Sequence, residues 1–434
     1  MDIHPHPKDP DVMLLYGITT AGHRVLVHVG EYFPYMFHFP PTRFQNDDVD
    51  DLFNLLNTEL GGNGVWSTEL LEAIMYPSGQ PVDILKITAT GMRSLDKIRG
   101  LLCSRRLKLH DYYFTKAHGI DESPVNNMLG FMHDCRLKPM FGVAIPAGNY
   151  QELPAAQKIS SSQLEYTARY NDLFCLGKQE NTAWIIFSFS VKTAFSDDNN
   201  SPLYDKDAVI QIAVMLTRKG QLEPYLRAIF TLGTCSPIVG AEIYEHEDET
   251  SLLLGWKEFL MKSDPDVITG DNIARFGLPY LILRAKQLGL SEFSILGRLD
   301  GEEAVAVSFD RSWKHTPMLA GRLVFDVRKY IQDTKLQTSP SRKALIAKYS
   351  TEFEGEKVDS AYNNTLQAGG PDERRRLAVS CLKEAYFPHR LMTCPLLQFM
   401  EGAIEAARTQ NVPFNFYVTN GPELPKVRGY SSDQ

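Results

Sequence analysis

Between Asp264 and Leu290 the chain reads DPDVITGDNIARFGLPYLILRAKQLGL, and this stretch carries side chains spaced for chemistry. The apolar run Val267-Ile268-Thr269 predicts a short strand, ended by Gly270 and followed by the polar pair Asp271-Asn272. Phe276, Tyr280, Leu281, Leu283 and Leu288 then recur at roughly three- and four-residue spacing, the period of a helix with one buried face. A strand, a small residue, a polar turn and an amphipathic helix present polar groups at a strand's end, where α/β folds hold ligands. A second set of groups suits phosphate. Arg374-Arg375-Arg376 is a basic triplet, and Lys335, Arg342, Lys343 and Lys348 could track a nucleic-acid backbone. Other chemistries are not signalled. No Walker loop and no constellation for nucleophilic catalysis is present. Six cysteines (Cys103, Cys135, Cys175, Cys235, Cys381, Cys394) are scattered without a C-x-x-C pair, which argues against a zinc site or a disulfide framework and fits a reducing compartment.

These groups need cores to position them. At 434 residues the chain is long enough for two or three domains. Its 43% hydrophobic and 23% charged residues are ordinary for a soluble globular protein. A net charge of −8 gives no overall basic signature, so nucleic-acid contact must come from a local patch. The start, MDIHPHPKDPD, has no apolar signal core, and no stretch is long and apolar enough to span a bilayer. The expectation is a cytosolic or nuclear chain with no membrane partner.

In the amino-terminal third, Val12–Thr19 and Arg24–Val29 predict a hairpin, followed by an aromatic strand over Tyr32–Phe39. A helix (Val49, Leu52, Phe53, Leu55, Leu56), strands Leu71–Tyr76 and Val82–Ala89, a helix (Met92, Leu95, Ile98, Leu102) and a strand near Tyr112-Tyr113-Phe114 come next. That order is the β-α-β-β-α-β unit of ferredoxin-like and RNA-recognition folds. A base-stacking platform would need aromatics on the central strand, and Val82–Ile87 has none. Tyr35, Phe37 and Phe39 therefore read as a buried face and the region as scaffold. Strands over Phe141–Ile145 and Leu164–Tyr170 are expected to complete a barrel with the first hairpin. From Thr182 onward, strands Ala183–Val191, Ala208–Leu216 and Tyr225–Leu232 precede a helix over Glu249–Met261. Gly321–Tyr330 then gives a strand running into a helix, and Leu396–Thr409 a final helix.

The organising stretch, written DPDVITG-x-N-I-x-x-F-x-LPYL, resembles the second exonuclease motif of family B DNA polymerases. Its flanks resemble delta-type members, and collinear matches such as DKDAVIQIAVMLTRKG, EPYLRAIFTLGTCSPIVG and ERRRLAVSCLKEAY extend over nearly the whole chain. The resemblance implies an α/β (α+β overall) fold. A ribonuclease H-like 3′–5′ exonuclease domain at 179–410 would follow a β-rich amino-terminal domain at 1–178 with the ferredoxin-like unit, and a connector at 411–434 would follow both. It also implies removal of a 3′-terminal nucleotide by two Mg²⁺ ions that four carboxylates hold, with a tyrosine positioning water.

At the family's site positions this chain departs. Where the first motif has S-F-D-I-E, Ser188-Phe189-Ser190-Val191-Lys192 stands, so Ser190 and Lys192 replace two carboxylates. Asn272 and Phe276 of the second motif are kept, and Gly277 replaces its aspartate. The third motif, Y-x-x-x-D, is Ser380-Cys381-Leu382-Lys383-Glu384, leaving Glu384 as the one surviving carboxylate. A lysine where a cation should bind opposes metal electrostatically. The expectation is thus a chain without exonuclease catalysis and without bound Mg²⁺, with Lys192 and Glu384 paired across the vacated site. Rescue would need Asp271, Asp207 or Asp326, the last matching a structural aspartate of the family. Asn272, Phe276 and Arg374-Arg375-Arg376 are the nucleic-acid candidates. Partners implied are single-stranded or primer–template DNA, held weakly, and polymerase subunits, in the nucleus. The S-L-Y-P-S and D-T-D-S motifs of nucleotidyl transfer are absent from the chain. Three alternatives stand beside this reading: an active exonuclease with a rearranged metal site, a decayed duplicate, and an interaction module of a split polymerase. The last would expose an apolar surface at Phe414, Phe416 and Tyr417.

Overall fold

The computed structural model describes residues 2–40, 44–75, 79–115, 124–178, 184–196, 202–304, 318–334, 344, 346–348, 358–394 and 397–420. Lys335, Arg342, Lys343 and the tail beyond 420 lie outside the described residues. Among the described residues no helix is long and apolar enough to cross a membrane.

The chain opens with β1 (Asp2–Pro5), β2 (Met13–Ile18) and β3 (Arg24–Gly30). The β2–β3 turn closes where Thr19 N donates to His23 O at 2.8 Å and Gly22 takes φ +88°. Next come β4 (Tyr35–His38), α1 (Asn46–Glu59), β5 (Val65–Met75), β6 (Gln80–Ala89), α2 (Met92–Cys103), β7 (Ser104–Leu109) and β8 (Tyr112–Thr115). Strand order β4-β6-β5 is that of a split βαβ unit, with Leu85 and Ile87 of β6 buried against Leu52, Leu56, Leu95 and Ile98 of the two helices. Its closing strand pairs with β7 as a hairpin and sets the Phe114 ring 5.4 Å from His38 of β4. On β4 the buried face is Met36 and His38. Tyr35 and Phe37 are half-buried on the other side, the reverse of the sequence expectation. Alternation defines two faces, but the packing of α1 and α2 chooses between them.

The region ends with α3 (Pro124–Asp134), β9 (Phe141–Ala144), β10 (Tyr150–Glu152), β11 (Leu164–Arg169) and β12 (Phe174–Lys178). β11 pairs in parallel with β3, giving a five-stranded sheet β1-β2-β3-β11-β10. β9 does not join it, as a barrel would require, but forms a two-stranded ribbon with β12.

A ribonuclease H-like sheet follows. β13 (Ile185–Thr193), β14 (Val209–Arg218) and β15 (Leu226–Leu232) run antiparallel. β16 (Glu242–His246) adds to β15 in parallel. β17 (Val267–Gly270) and β18 (Leu323–Asp326) extend the sheet in parallel beyond β13, giving the order β16-β15-β14-β13-β17-β18. α4 (Glu249–Ser263), capped by the Asp248 carboxylate accepting from Ser251 N at 2.7 Å, and α5 (Leu278–Gln287) cover one face. There Trp256, Phe187, Phe189, Tyr280 and Leu281 form the largest core. Beyond α6 (Val327–Asp333) and α7 (Asn363–Ala368), the long α8 (Pro371–Thr393) covers the other face through Ala378, Cys381, Leu382 and Ala385.

α9 (Phe399–Gln410) and α10 (Phe414–Asn420) fold back over β18 and α6. Phe414 and Tyr417 are 2% and 3% exposed, packed with Phe399, Tyr330 and Ile331, and Phe416 is half-buried beside them. The apolar surface expected of a split-polymerase module is therefore already covered by the chain's own core.

Candidate functional site

β13 lies in the middle of its sheet, and its side chains alternate between the two faces. Phe187 and Phe189 enter the core beneath α4 and α5, so Ser188, Ser190 and Lys192 face α8. Helix α8 presents Ser380 and Glu384 on one side because they are four residues apart. Ser188 Oγ donates to Ala385 O at 2.7 Å, anchoring the helix to the strand. Ser190 Oγ donates to Glu384 Oε2 at 3.0 Å, and Lys192 Nζ donates to Glu384 Oε1 at 2.6 Å. Both carboxylate oxygens are thus engaged. The pairing expected from the opposite charges is present, with the Lys192 side chain 7% exposed and that of Glu384 23% exposed. Cys381, which sequence reasoning did not single out, closes the floor by donating its thiol to Ser190 O at 3.6 Å. Burial, reinforced by the nearby Glu384 carboxylate, pushes that thiol up to about 12, so it stays protonated. Ser380, at the position where the resemblance places a tyrosine, accepts a hydrogen bond from Val358 N at 3.2 Å.

The second-motif residues sit on the connection from β17 to α5. Asn272 adopts the left-handed conformation at φ 63°, which asparagine tolerates better than most residues. Its carbonyl accepts from Phe276 N at 2.9 Å and Gly277 N at 3.4 Å, forming one π-helical turn over Ile273–Gly277. The Phe276 ring lies 5.1 Å from Tyr280 and is half-buried against the core. A Cβ at Gly277 would meet Ile273 Cγ2 at 3.2 Å and Phe189 Cζ at 3.3 Å. A side chain there would need these two apolar neighbours to give by a few tenths of an ångström.

The other candidates are engaged elsewhere. Asp271 is held by the Arg328 guanidinium, whose Nε donates to it at 2.8 Å. Asp207, 4% exposed, accepts from Leu203 N at 2.7 Å. Asp326 caps α6 by accepting from Lys329 N at 3.0 Å and also accepts from Ala274 N at 2.9 Å. Burial raises the Asp326 carboxyl above its ordinary range. The basic triplet divides. Arg374 donates to Thr234 O, Thr234 Oγ1, Gln367 O and Gly369 O, so it closes the loops around the start of α8 rather than facing a phosphate. Its charge is visible in the sequence, but its engagement with these loops is not. Arg375 is exposed with Asp372 3.4 Å away, and Arg376 and Lys348 are exposed.

Among the described residues, no three His, Cys, Asp or Glu side chains come together to hold a metal ion. The donor set of Glu384, Ser190 and Lys192 carries no net negative charge, and its one carboxylate is already neutralised by an ammonium. Two divalent ions need several charged oxygens, so these residues do not fit the metal pair that the family resemblance implies.

The family model described as DNA polymerase family B, exonuclease domain, matches residues 121–343. That span includes Ser190, Lys192 and Gly277 and ends before Glu384. The DNA polymerase delta catalytic subunit of Glycine max is 32% identical over 448 residues, covering 98% of this chain and 40% of the relative. That of Schizosaccharomyces pombe is 32% identical over 435 residues, covering 95% and 39%. The chain thus spans about 40% of the length of these relatives. A solved structure of the family B DNA polymerase from the hyperthermophilic archaeon Pyrobaculum calidifontis matches with a TM-score of 0.65 at 17% identity, covering 96% of this chain and 47% of that one. At that identity the likeness speaks for the fold. The sheet order, the retained frame around Asn272 and Phe276 and the matched span agree, and the chain belongs to DNA polymerase family B, with its exonuclease domain.

Proposed function

We propose that this chain is an exonuclease-type module that lacks two-metal hydrolysis and serves a nucleic-acid-binding or scaffolding role in DNA replication or repair. The observation that carries the reading is the Lys192–Glu384 ion pair at 2.6 Å, with Ser190 on the second oxygen of the same carboxylate. A fixed ammonium there repels a divalent ion, and the one available carboxylate is spent on it. The engagement of Asp271 by Arg328, of Asp207 by Leu203 and of Asp326 at the α6 cap supports the same reading against a rearranged metal site. Single-stranded or primer–template DNA, held weakly, and polymerase subunits are the partners this role names. Residues Asn272, Phe276, Arg375 and Arg376 are its remaining contact candidates. A nuclear location goes with the role and is checked by imaging a tagged chain.

The test pairs divalent-metal calorimetry with degradation of 3′-labelled single-stranded DNA in Mg²⁺ or Mn²⁺. We expect neither metal binding nor nucleotide release. Metal-dependent release that disappears in Glu384→Ala would overturn the proposal and establish an active, rearranged site.

A further inference from the structure

A second concave site lies at the far end of the sheet from Glu384. Trp184 precedes Lys192 by eight positions. At strand rise that is about 26 Å away. The cleft there, of about 640 Å³, is bounded by the amino-terminal sheet, the β9–β12 ribbon, the start of the ribonuclease H-like sheet and the last two helices. Small-molecule sites typically span about 300–1,000 Å³ and are mostly apolar, with a few polar groups that fix orientation. This cleft has that make-up. Leu15 and Val27 come from β2 and β3, Val143 from β9, and Ile404 and Phe414 from α9 and α10.

Most of the charges around it are spoken for. Lys178 and Arg408 both pair with Glu405, at 3.2 and 3.3 Å. Arg298 pairs with Asp266 at 2.8 Å, and Asp2 pairs with His4 at 2.7 Å. Lys219 is different. Its Nζ lies 4.6 Å from the centre of the Trp184 ring, it is half-buried, and it forms no ion pair with any described residue. The one rim carboxylate without a described ion pair, Glu401, is exposed, where water and salt screen it. The half-buried ammonium is screened less, so the field inside the cleft favours an anion.

We propose that this cleft binds an organic carboxylate with an apolar tail, the tail lying on Leu15, Val27, Val143 and Ile404 and the carboxylate pairing with Lys219. The site shares no residue with the Lys192–Glu384 centre and does not depend on what that centre does.

Decanoate, kept below its micellar concentration, is the probe, with decanol as its uncharged counterpart. Binding to the full chain is followed by calorimetry and by tryptophan fluorescence. Saturable one-to-one binding of decanoate, at least tenfold tighter than decanol, is expected. Lys219→Met should remove that tenfold preference, and Val143→Trp, with melting unchanged, should abolish binding of both. No saturable decanoate binding, equal binding of decanoate and decanol, or binding that both variants leave unaltered would overturn the proposal.

Discussion

Lys192 and Glu384 lie 192 residues apart in the chain and meet at 2.6 Å, joining β13 to α8 through the centre of the exonuclease-type domain. The contact links two elements that metal ions are expected to bridge in a catalytic relative. Here a fixed cation takes that cross-linking part, and Ser190 completes the coordination of the carboxylate by hydrogen bonding.

The pair is asymmetric, since the lysine is the more buried partner. Glu384→Ala should cost about 3 kcal/mol because it strands a buried ammonium, whereas Lys192→Met should cost less, leaving a carboxylate that Ser190 and water can still satisfy. Urea unfolding of both single variants and the double variant checks this. A double variant less stable than Glu384→Ala alone would contradict the assignment of the cost to the unpaired charge.

Restoring the acidic positions should restore a response to metal. In Ser190→Asp/Lys192→Glu the two new carboxylates face Glu384, and like-charge repulsion should lower the melting temperature in chelator. Mn²⁺ should raise it again in that variant and leave the parent chain unchanged. Adding Gly277→Asp should lower stability further in chelator, because Ile273 and Phe189, 3.2 and 3.3 Å from the new Cβ, must give by a few tenths of an ångström.

His389 provides a pH test. Burial pushes its imidazole down to about 4. Leu222 O can only accept, so Nε2 carries the proton at 3.0 Å, and Nδ1 accepts from the Thr217 hydroxyl at 3.1 Å. The folded state therefore favours the neutral ring. Its contribution is fully present above the unfolded value near 6.5 and is lost as pH falls from there through about 4, for a total of about 3 kcal/mol. Stability measured between pH 7.5 and about 4 should carry this slope. A His389→Asn variant should lose it.

The arginine triplet should split by function. Arg374→Ala should destabilise the chain by removing donors to Thr234, Gln367 and Gly369, with DNA affinity unchanged in the folded fraction. Arg375→Ala/Arg376→Ala should leave stability within about 0.5 kcal/mol. If these side chains meet phosphates, the double variant should flatten the salt dependence of DNA binding by about one unit of slope per contact.

Arg24 on β3 binds Asp266 at the entry to β17, with Nη2 donating at 2.8 Å, and the same carboxylate accepts from Arg298 and Ile185 N. Arg24→Ala should loosen the amino-terminal sheet from the exonuclease-type sheet. Hydrogen exchange should rise at β3 and at Ile185 while the α4–α5 core stays protected.

Many of the strands and helices follow from sequence alone, because periodicity is a local property, whereas β1, β7, β10, β12, β16 and α3 carried no such signal and the replaced site positions are read only through the family resemblance. Val267–Gly270, the turn at Asn272 and the spacing of Ser380 and Glu384 needed no coordinates to place them. Tertiary structure alone decided which of those groups meet. Tyr35 and Phe37 alternate clearly, yet which side of β4 is buried depends on where α1 and α2 dock. Phe414 and Tyr417 look like a surface awaiting a partner until α9 and α10 fold over β18 and α6. Arg374 is as basic as its two neighbours, but only the loops at Thr234 and Gly369 show that its donors are taken. Opposite charges at 192 and 384 made a pair plausible. The packing of α8 across β13 brought them to 2.6 Å, because only that packing sets the distance between residues so far apart in the chain.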